Sequence, residues 1–351
     1  MKILVTGGAG LVGSHVAEYF ARNKWDVIVY DNLCRSQLFG YDGKSVEYNW
    51  EYLTQFKNIT RIKADVRDQK QLLKAIPKDI DALIHTAGQP GVPSSVKDPL
   101  TDFSINANGT LQVLEALRQK NSQAVFIYTS TNKVYGENVD KIPLQEKKTR
   151  YVFADSRAGI TEGLSIDQTA RTPYGASKLT GDLYTQEYRH IYGIPAYCFR
   201  MSCIYGDRQF GFEDQGWVAH FIFSLLKGTP VTIYGTGKQV RDLLYVDDLA
   251  RAFELVIRKK PQQPVFNIGG GQANTLSLLE FVAYLEKKAK KKLAMHFTHE
   301  RPSDQKVYIS DFTALTGATG WKPQVSCPEG IDRLYLWIKM FLSKEKAFSA
   351  E

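Results

Sequence analysis

The sequence predicts a doubly wound α/β fold: a parallel sheet with helices on both faces, joined to a smaller, discontinuous C-terminal lobe. Three observations predict it. Short apolar, β-rich runs alternate with helix-period segments through the N-terminal half, which demands parallel strands and right-handed crossovers. The first run passes through a glycine-rich turn into the first helical pattern. Beyond about Tyr205 the rhythm breaks into irregularly spaced short strands.

In chain order, KILVTG reads as a buried strand, followed by a helix from Gly13 to about Asn23 and the strand DVIVYD. A third strand ends at Asp65-Val66, and QKQLLKAI is helical. ALIHTA is the fourth strand, TLQVLEALRQ a helix and AVFIYTS the next strand. A long polar stretch runs from Gly136 to Pro173, then a long helix reaches Tyr192 and AYCFRMS returns to the sheet. PVTIYG, RDLLYV and VFNIGG are the short strands of the irregular part. The expected division is 1–200 plus about 240–270 for the sheet domain, and about 201–239 plus 271–351 for the second lobe.

A chain of 351 residues with 43% hydrophobic and 12% aromatic content can build a substantial core. MKILVTGG enters a strand at once, without the charged head, apolar stretch and cleavage site of a secretory signal, and no run spans a membrane. Cys34, Cys198, Cys203 and Cys327 form no CxxC pair, and the six histidines form no ligand pattern. Reduced thiols, a cytoplasmic setting, no metal and no membrane partner are expected. The net charge of +8 favours anionic partners, but no groove-reading element points to nucleic acid. The run KKAKKK at 287–292 reads as the solvated end of a helix, where cations complement the dipole.

Gly7, Gly10, Leu11, Val12 and Gly13 lie between the first strand and the first helix. Such a turn lets the backbone approach a pyrophosphate, which then meets the helix N-terminus. Asp31, at the end of the second strand, answers it with a carboxylate for a ribose 2′-hydroxyl. That carboxylate repels a 2′-phosphate, so NAD is expected over NADP, although Arg35 nearby could accommodate a phosphate. Asp65 and Val66 are placed to reach the adenine, and Thr86, Ala87 and Gly88 to line the cofactor cleft. His85, in the same run, reads as a core histidine.

Tyr174 and Lys178 stand i, i+4 at the start of the long helix, on one face. A phenol is a poor base at neutral pH, and an ammonium beside it stabilises the phenolate. With the GGAGLVG turn, DNL at 31–33 (including Asn32), the VYG strand end, YGASK and RDLLYVDDLARA at 241–252, the chain resembles the extended short-chain dehydrogenase/reductases, the Rossmann-type sugar-nucleotide epimerases and dehydratases. The resemblance covers essentially the whole length. It implies that Thr131 is the catalytic hydroxyl, that Tyr174 moves the sugar proton, and that Lys178 tunes Tyr174 and holds the nicotinamide ribose.

In the family's 4,6-dehydratases an Asp-Glu pair follows that threonine; here Asn132 and Lys133 stand there. Neither can act as the carboxylate that eliminates water. STNKVYG, FRMSCIYG, GKQVRD, NIGGGQAN, RPSDQKVYISD and the insertion TRYVFADSRAGITE are instead similar to the CDP-tyvelose (CDP-paratose) 2-epimerases. That resemblance implies a nucleotide-diphosphate sugar as substrate, oxidised at C2 to a transient 2-keto sugar and reduced from the opposite face with NAD recycled. It also implies substrate contacts from Thr131, Asn132, Lys133, Cys203, Arg241 and Arg301, the two arginines gripping the diphosphate. Lys133 could instead be a strand-end lysine paired with Glu162 or another carboxylate. A UDP-hexose 4-epimerase is the alternative, and a redox-inert dinucleotide sensor a distant one. Relatives assemble as homodimers or homotetramers, and the same is expected here.

Overall fold

The computed structural model describes residues 1–39, 44–301 and 303–348; Pro302, within the RPSDQKVYISD stretch, and residues 349–351 of the expected second lobe lie outside them. Seven strands form the central sheet in the order Val265–Ile268, Ala196–Met201, Val125–Thr131, Ala82–His85, Lys2–Thr6, Asp26–Asp31 and Ile59–Lys63. Every neighbouring pair is parallel. The alternation of side chains along each strand feeds two cores. Ile3, Val5, Val125 and Ile127 pack with Val16, Phe20 and Phe253 on one face, and Leu4, Phe126 and Tyr128 with Leu72, Val113 and Leu117 on the other. Burial on both faces is why these strands are apolar without interruption.

Strand order reverses between Lys2–Thr6 and Ala82–His85, so the crossovers diverge and leave a crevice beyond their carboxyl ends. The VFNIGG run, grouped by its sequence with the irregular strands, completes this sheet beside Ala196–Met201. The helix Val246–Lys259 carries the chain back to it and packs on the helix Leu11–Arg22.

The other strands form smaller sheets. Val240–Tyr245 pairs with Cys203–Tyr205, Thr275–Ser277 and Val307–Tyr308, and Val231–Tyr234 with Met295–Thr298. They enclose a separate core that includes Ile222, Ile233, Phe281, Leu285 and Leu334. The lysine-rich run closes the helix Leu278–Ala289, with Lys288 paired to Asp332 and Lys292 to Glu286 at 2.8 Å each. Part of the long polar stretch folds as a hairpin, Leu144–Glu146 with Tyr151–Phe153.

The helix Thr172–Tyr192 opens on Pro173 and stops at Gly193, whose φ of +67° suits a glycine C-cap. A buried ion pair ties it to the sheet: Arg200 Nε donates to Asp182 Oδ2 at 3.0 Å and its Nη2 to Oδ1 at 3.1 Å. Ser130 Oγ donates to the same carboxylate at 2.7 Å. Asp182→Ala strands the Arg200 guanidinium in the interior, and should destabilise the fold by about 3–5 kcal/mol in urea unfolding.

Candidate active site

The crevice at the switch point is a cavity of about 300 Å³, the size range of small-molecule sites. One end is lined by the glycine turn. Gly7 holds φ +67°, and a Cβ there would come within 2.5 Å of the Ala87 backbone nitrogen. A Cβ on Gly13 would strike the Gly7 carbonyl, so only glycine allows the helix to begin this close to the strand. Gly10 is the N-cap and offers no side-chain cap, which leaves the first-turn amides to a ligand. Leu11 and Val12 line the crevice beside them.

Asp31 Oδ2 accepts from the Ala9 amide at 2.9 Å and Oδ1 from the Leu33 amide at 2.7 Å. Burial raises its pKa, and these two amides oppose the rise. Each oxygen keeps a second acceptor position, as a ribose diol requires. Arg35 lines the cavity, but its guanidinium donates to Gln215 and lies over the Phe39 and Phe212 rings, 5.5 and 5.8 Å from their centroids. Asp65 is more occupied than its sequence position suggests. Arg67 and Asn32 together donate to both of its oxygens and hold its pKa down to about 2. Val66, Thr86, Ala87 and Gly88 line the same cavity, with Thr86 Oγ1 donating to the Thr6 carbonyl at 2.6 Å. The glycine cradle, uncapped amides and Asp31 fit an adenine dinucleotide with a free 2′-hydroxyl.

Thr131, Tyr174 and Lys178 line the other end. The sheet brings up Thr131 at a strand terminus, and the helix Thr172–Tyr192 presents the other two. Thr131 Oγ1 donates to Asn132 Oδ1 at 3.3 Å. Burial pushes the Tyr174 phenol up to about 12, with the Thr131 hydroxyl as a counterweight and Asp102 raising it further. The protein by itself therefore keeps this phenol protonated. Burial likewise draws Lys178 down to about 8, against the fields of Asp102 and Asp182, and its Nζ sits 4.2 Å from the Tyr128 ring centroid. His85 is a core residue: it bridges the Thr6 and Thr110 hydroxyls at 2.7 and 3.0 Å, and burial brings it to about 3.

A further group of site residues escaped sequence reasoning. A π-helical turn, Ser104–Asn108, precedes the helix Gly109–Asn121 that the TLQVLEALRQ run marks. It turns Asn106 inward, where its amide nitrogen donates to Asp102 Oδ1 at 3.0 Å and Ser177 Oγ at 3.1 Å. Its oxygen accepts from the Gln89 amide at 2.8 Å.

Asn132, Lys133, Cys203, Arg241 and Arg301 lie outside the cavity lining. Lys133 Nζ donates to the Ser303 carbonyl at 3.0 Å, whereas Glu162 accepts from the Asn267 amide at 2.7 Å, so the Lys133–Glu162 pairing is not formed. Arg241 pairs with Asp304 at 2.6 Å and Arg301 with Asp214 at 3.2 Å. Burial pushes the Cys203 thiol up to about 12, with Trp217 and Arg241 as counterweights. Among the described residues no group of three potential ligands could hold a metal ion, and no helix is long and apolar enough to cross a membrane.

The profile of the NAD dependent epimerase/dehydratase family matches residues 3–269. CDP-paratose 2-epimerase of Salmonella typhi is 38% identical over 347 residues, covering 96% of this chain and 99% of that protein. A putative UDP-glucose 4-epimerase of Methanocaldococcus jannaschii is 31% identical over 338 residues, covering 96% and 98%. The solved structure of UDP-glucuronic acid 4-epimerase from Bacillus cereus, with UDP-glucuronic acid and NAD, is similar at a TM-score of 0.79 and 28% identity, covering 97% of this chain and all of that one.

Lys178 makes one electrostatic prediction. Its folded pKa of about 8 lies below the ordinary 10.5, so the unfolded chain binds more protons between those values and stability rises with pH. From pH 7.5 to 9.5 the cofactor-free protein should gain about 2 kcal/mol from this group, an increment that urea unfolding should find missing in Lys178→Met.

Proposed function

The chain belongs to the NAD dependent epimerase/dehydratase family and is an NAD-dependent isomerase, and we propose that it inverts C2 of a CDP-hexose of the paratose/tyvelose type. The observation that carries this reading is the pair beside Thr131. Asn132 and Lys133 donate to Gln305 and Ser303, and no carboxylate stands where dehydration would need one. Oxidation and return at a single carbon is the chemistry left to Thr131, Tyr174 and Lys178. The relative acting on CDP-paratose, at the higher identity, favours C2; the relatives named as 4-epimerases keep a UDP-hexose 4-epimerase as the second reading.

Gly7, Gly10, Leu11, Val12, Gly13, Asp31 and Lys178 are the residues that would hold the dinucleotide. Bound NAD supplies a reversible hydride acceptor and, when oxidised, a positive charge near the phenol. Thr131 orients the sugar hydroxyl, and Tyr174 takes its proton as the 2-keto sugar forms. Tyr174 gives that proton back when the carbon is reduced on its other face. Arg241 and Arg301 hold the diphosphate meanwhile, so the sugar can turn without leaving.

The reading includes the two-part division, 1–200 plus about 240–270 for the dinucleotide and about 201–239 plus 271–351 for the nucleotide sugar. The strand Val240–Tyr245 is hydrogen-bonded on the second side. It also includes a cytoplasmic location, consistent with four free cysteines. A homodimer is supported by an exposed apolar face on three packed helices: Val96 is 61% exposed, Leu100 83%, Phe103 54% and Ile191 63%.

Two experiments test this. Incubation with CDP-, GDP- and UDP-sugars should show inversion at C2 of the CDP-sugar by NMR; inversion at C4 alone rejects the assignment. Tyr174→Phe should lose about a thousandfold in kcat while retaining NAD through gel filtration. Separately, Leu100→Glu should convert a dimer to a monomer in sedimentation, and a wild type already monomeric removes the dimer.

A further inference from the structure

The turn that carries Thr131 is bonded to a loop more than a hundred and fifty residues away in the chain. Asn132 Nδ2 donates to Gln305 Oε1 at 3.2 Å, and Gln305 Nε2 to the Gly136 carbonyl at 3.3 Å. Lys133 Nζ donates to the Ser303 carbonyl at 3.0 Å. In return Ser303 Oγ donates to Glu137 Oε1 at 3.1 Å, and the Lys306 amide to Asp140 Oδ1 at 3.1 Å. Gln305 is only 1% exposed and Asn132 8%, so the two bonds made by Gln305 are interior bonds that water does not readily replace, with the others at their rim.

Two links extend from this seam in opposite directions. Towards the cavity, the Lys133 amide donates to Thr131 Oγ1 at 3.3 Å, and Asn132 Oδ1 accepts from the same hydroxyl at 3.3 Å. Towards the second side, Asp304 holds Arg241 at 2.6 Å. The residues that replace a dehydratase's carboxylates therefore touch the Thr131 hydroxyl at one end and, at the other, the two chain neighbours of Asp304, which holds Arg241.

We propose that Asn132 and Lys133 are positioning residues, a latch that registers the Ser303–Lys306 loop and the Arg241–Asp304 pair against Thr131 and Tyr174. By fixing the distance between the diphosphate grip and the proton-handling trio, the latch selects which sugar carbon lies at the trio. The selection step rests on the function proposed above; the latch itself does not. Asp140, Asp304 and Arg241 are the charged groups facing Lys133, and none of them accepts or donates the bond that the ammonium gives to Ser303.

The test uses the holoenzyme carrying Lys133→Met, Lys133→Arg or Gln305→Leu. Hydrogen–deuterium exchange across residues 303–308 should rise at least about tenfold in Lys133→Met, because a local opening loses its restraint. Unchanged exchange overturns the latch whatever reaction the enzyme catalyses. With a CDP-sugar, kcat should fall about a hundredfold, the scale of an ångström's misplacement, while the Kd for CDP stays within about threefold. Lys133→Arg, which can still donate to the Ser303 carbonyl, should recover most of kcat. A loss of CDP affinity as large as the loss of kcat would make Lys133 a direct diphosphate ligand and overturn the positioning role. Gln305→Leu removes the Asn132 and Gly136 bonds without touching Lys133, and carries the same expectations if Lys133→Met does not fold.

Discussion

Lys178 is an ammonium in a place that resists charge, and much of the surrounding architecture answers that problem. Burial draws it down, and even with opposing negative fields it rests at about 8. The Tyr128 ring offers a π-face, and Asp102 and Asp182 offer negative fields. Asp182 is shared with Arg200 and Ser130, so it cannot follow the lysine without loosening the helix from the sheet. His85, neutral between two threonine hydroxyls, contributes no second positive charge. The charge of one side chain is thus maintained by strands and helices that meet only through the parallel sheet.

The same burial raises Tyr174, so a site that keeps its lysine charged does not by that fact obtain a phenolate. Sequence reasoning saw the i, i+4 spacing and inferred a phenol lowered by its neighbour. Around Tyr174 the Thr131 hydroxyl works against the rise and Asp102 adds to it, so the tuning expected from Lys178 belongs with the positive charge of bound NAD. Asp102 was not read from the sequence: it sits on the five-residue helix Pro99–Phe103, too short to show a hydrophobic period, and is met there by Asn106 from the π-helical turn.

Local features were legible and distant pairings were not. The glycine turn, Asp31 and the Tyr174 helix could be read because each is set by neighbours within one turn or one strand. VFNIGG was read only as one of several irregularly spaced short strands, within a segment assigned to the sheet domain; its partner, Ala196–Met201, is set by tertiary pairing and not by spacing. For Lys133 the sequence offered a substrate contact or a carboxylate partner such as Glu162; the structure gives that carboxylate to the Asn267 amide and the ammonium to a carbonyl from the far loop. Arg35 offers the same lesson. Its position beside Asp31 suggested a phosphate contact, but its guanidinium reaches across to Gln215 between two aromatic rings.

A reaction that inverts a carbon by turning its substrate places opposite demands on the two ends of the ligand. The nucleotide end needs strong, directional, charged bonds, and the cationic groups outside the cavity, Arg241 and Arg301, can form them. The sugar end must be held weakly enough to accept two poses. The contact proposed for Cys203 fits that demand: burial pushes its thiol up to about 12, so it remains neutral, and a neutral thiol is a poor hydrogen-bonding partner. Loose contact at the sugar then requires rigidity elsewhere, to keep the carbon in reach of Thr131 and Tyr174 in both poses. The seam from Asn132 and Lys133 to Ser303 and Gln305 is where the fold provides that rigidity.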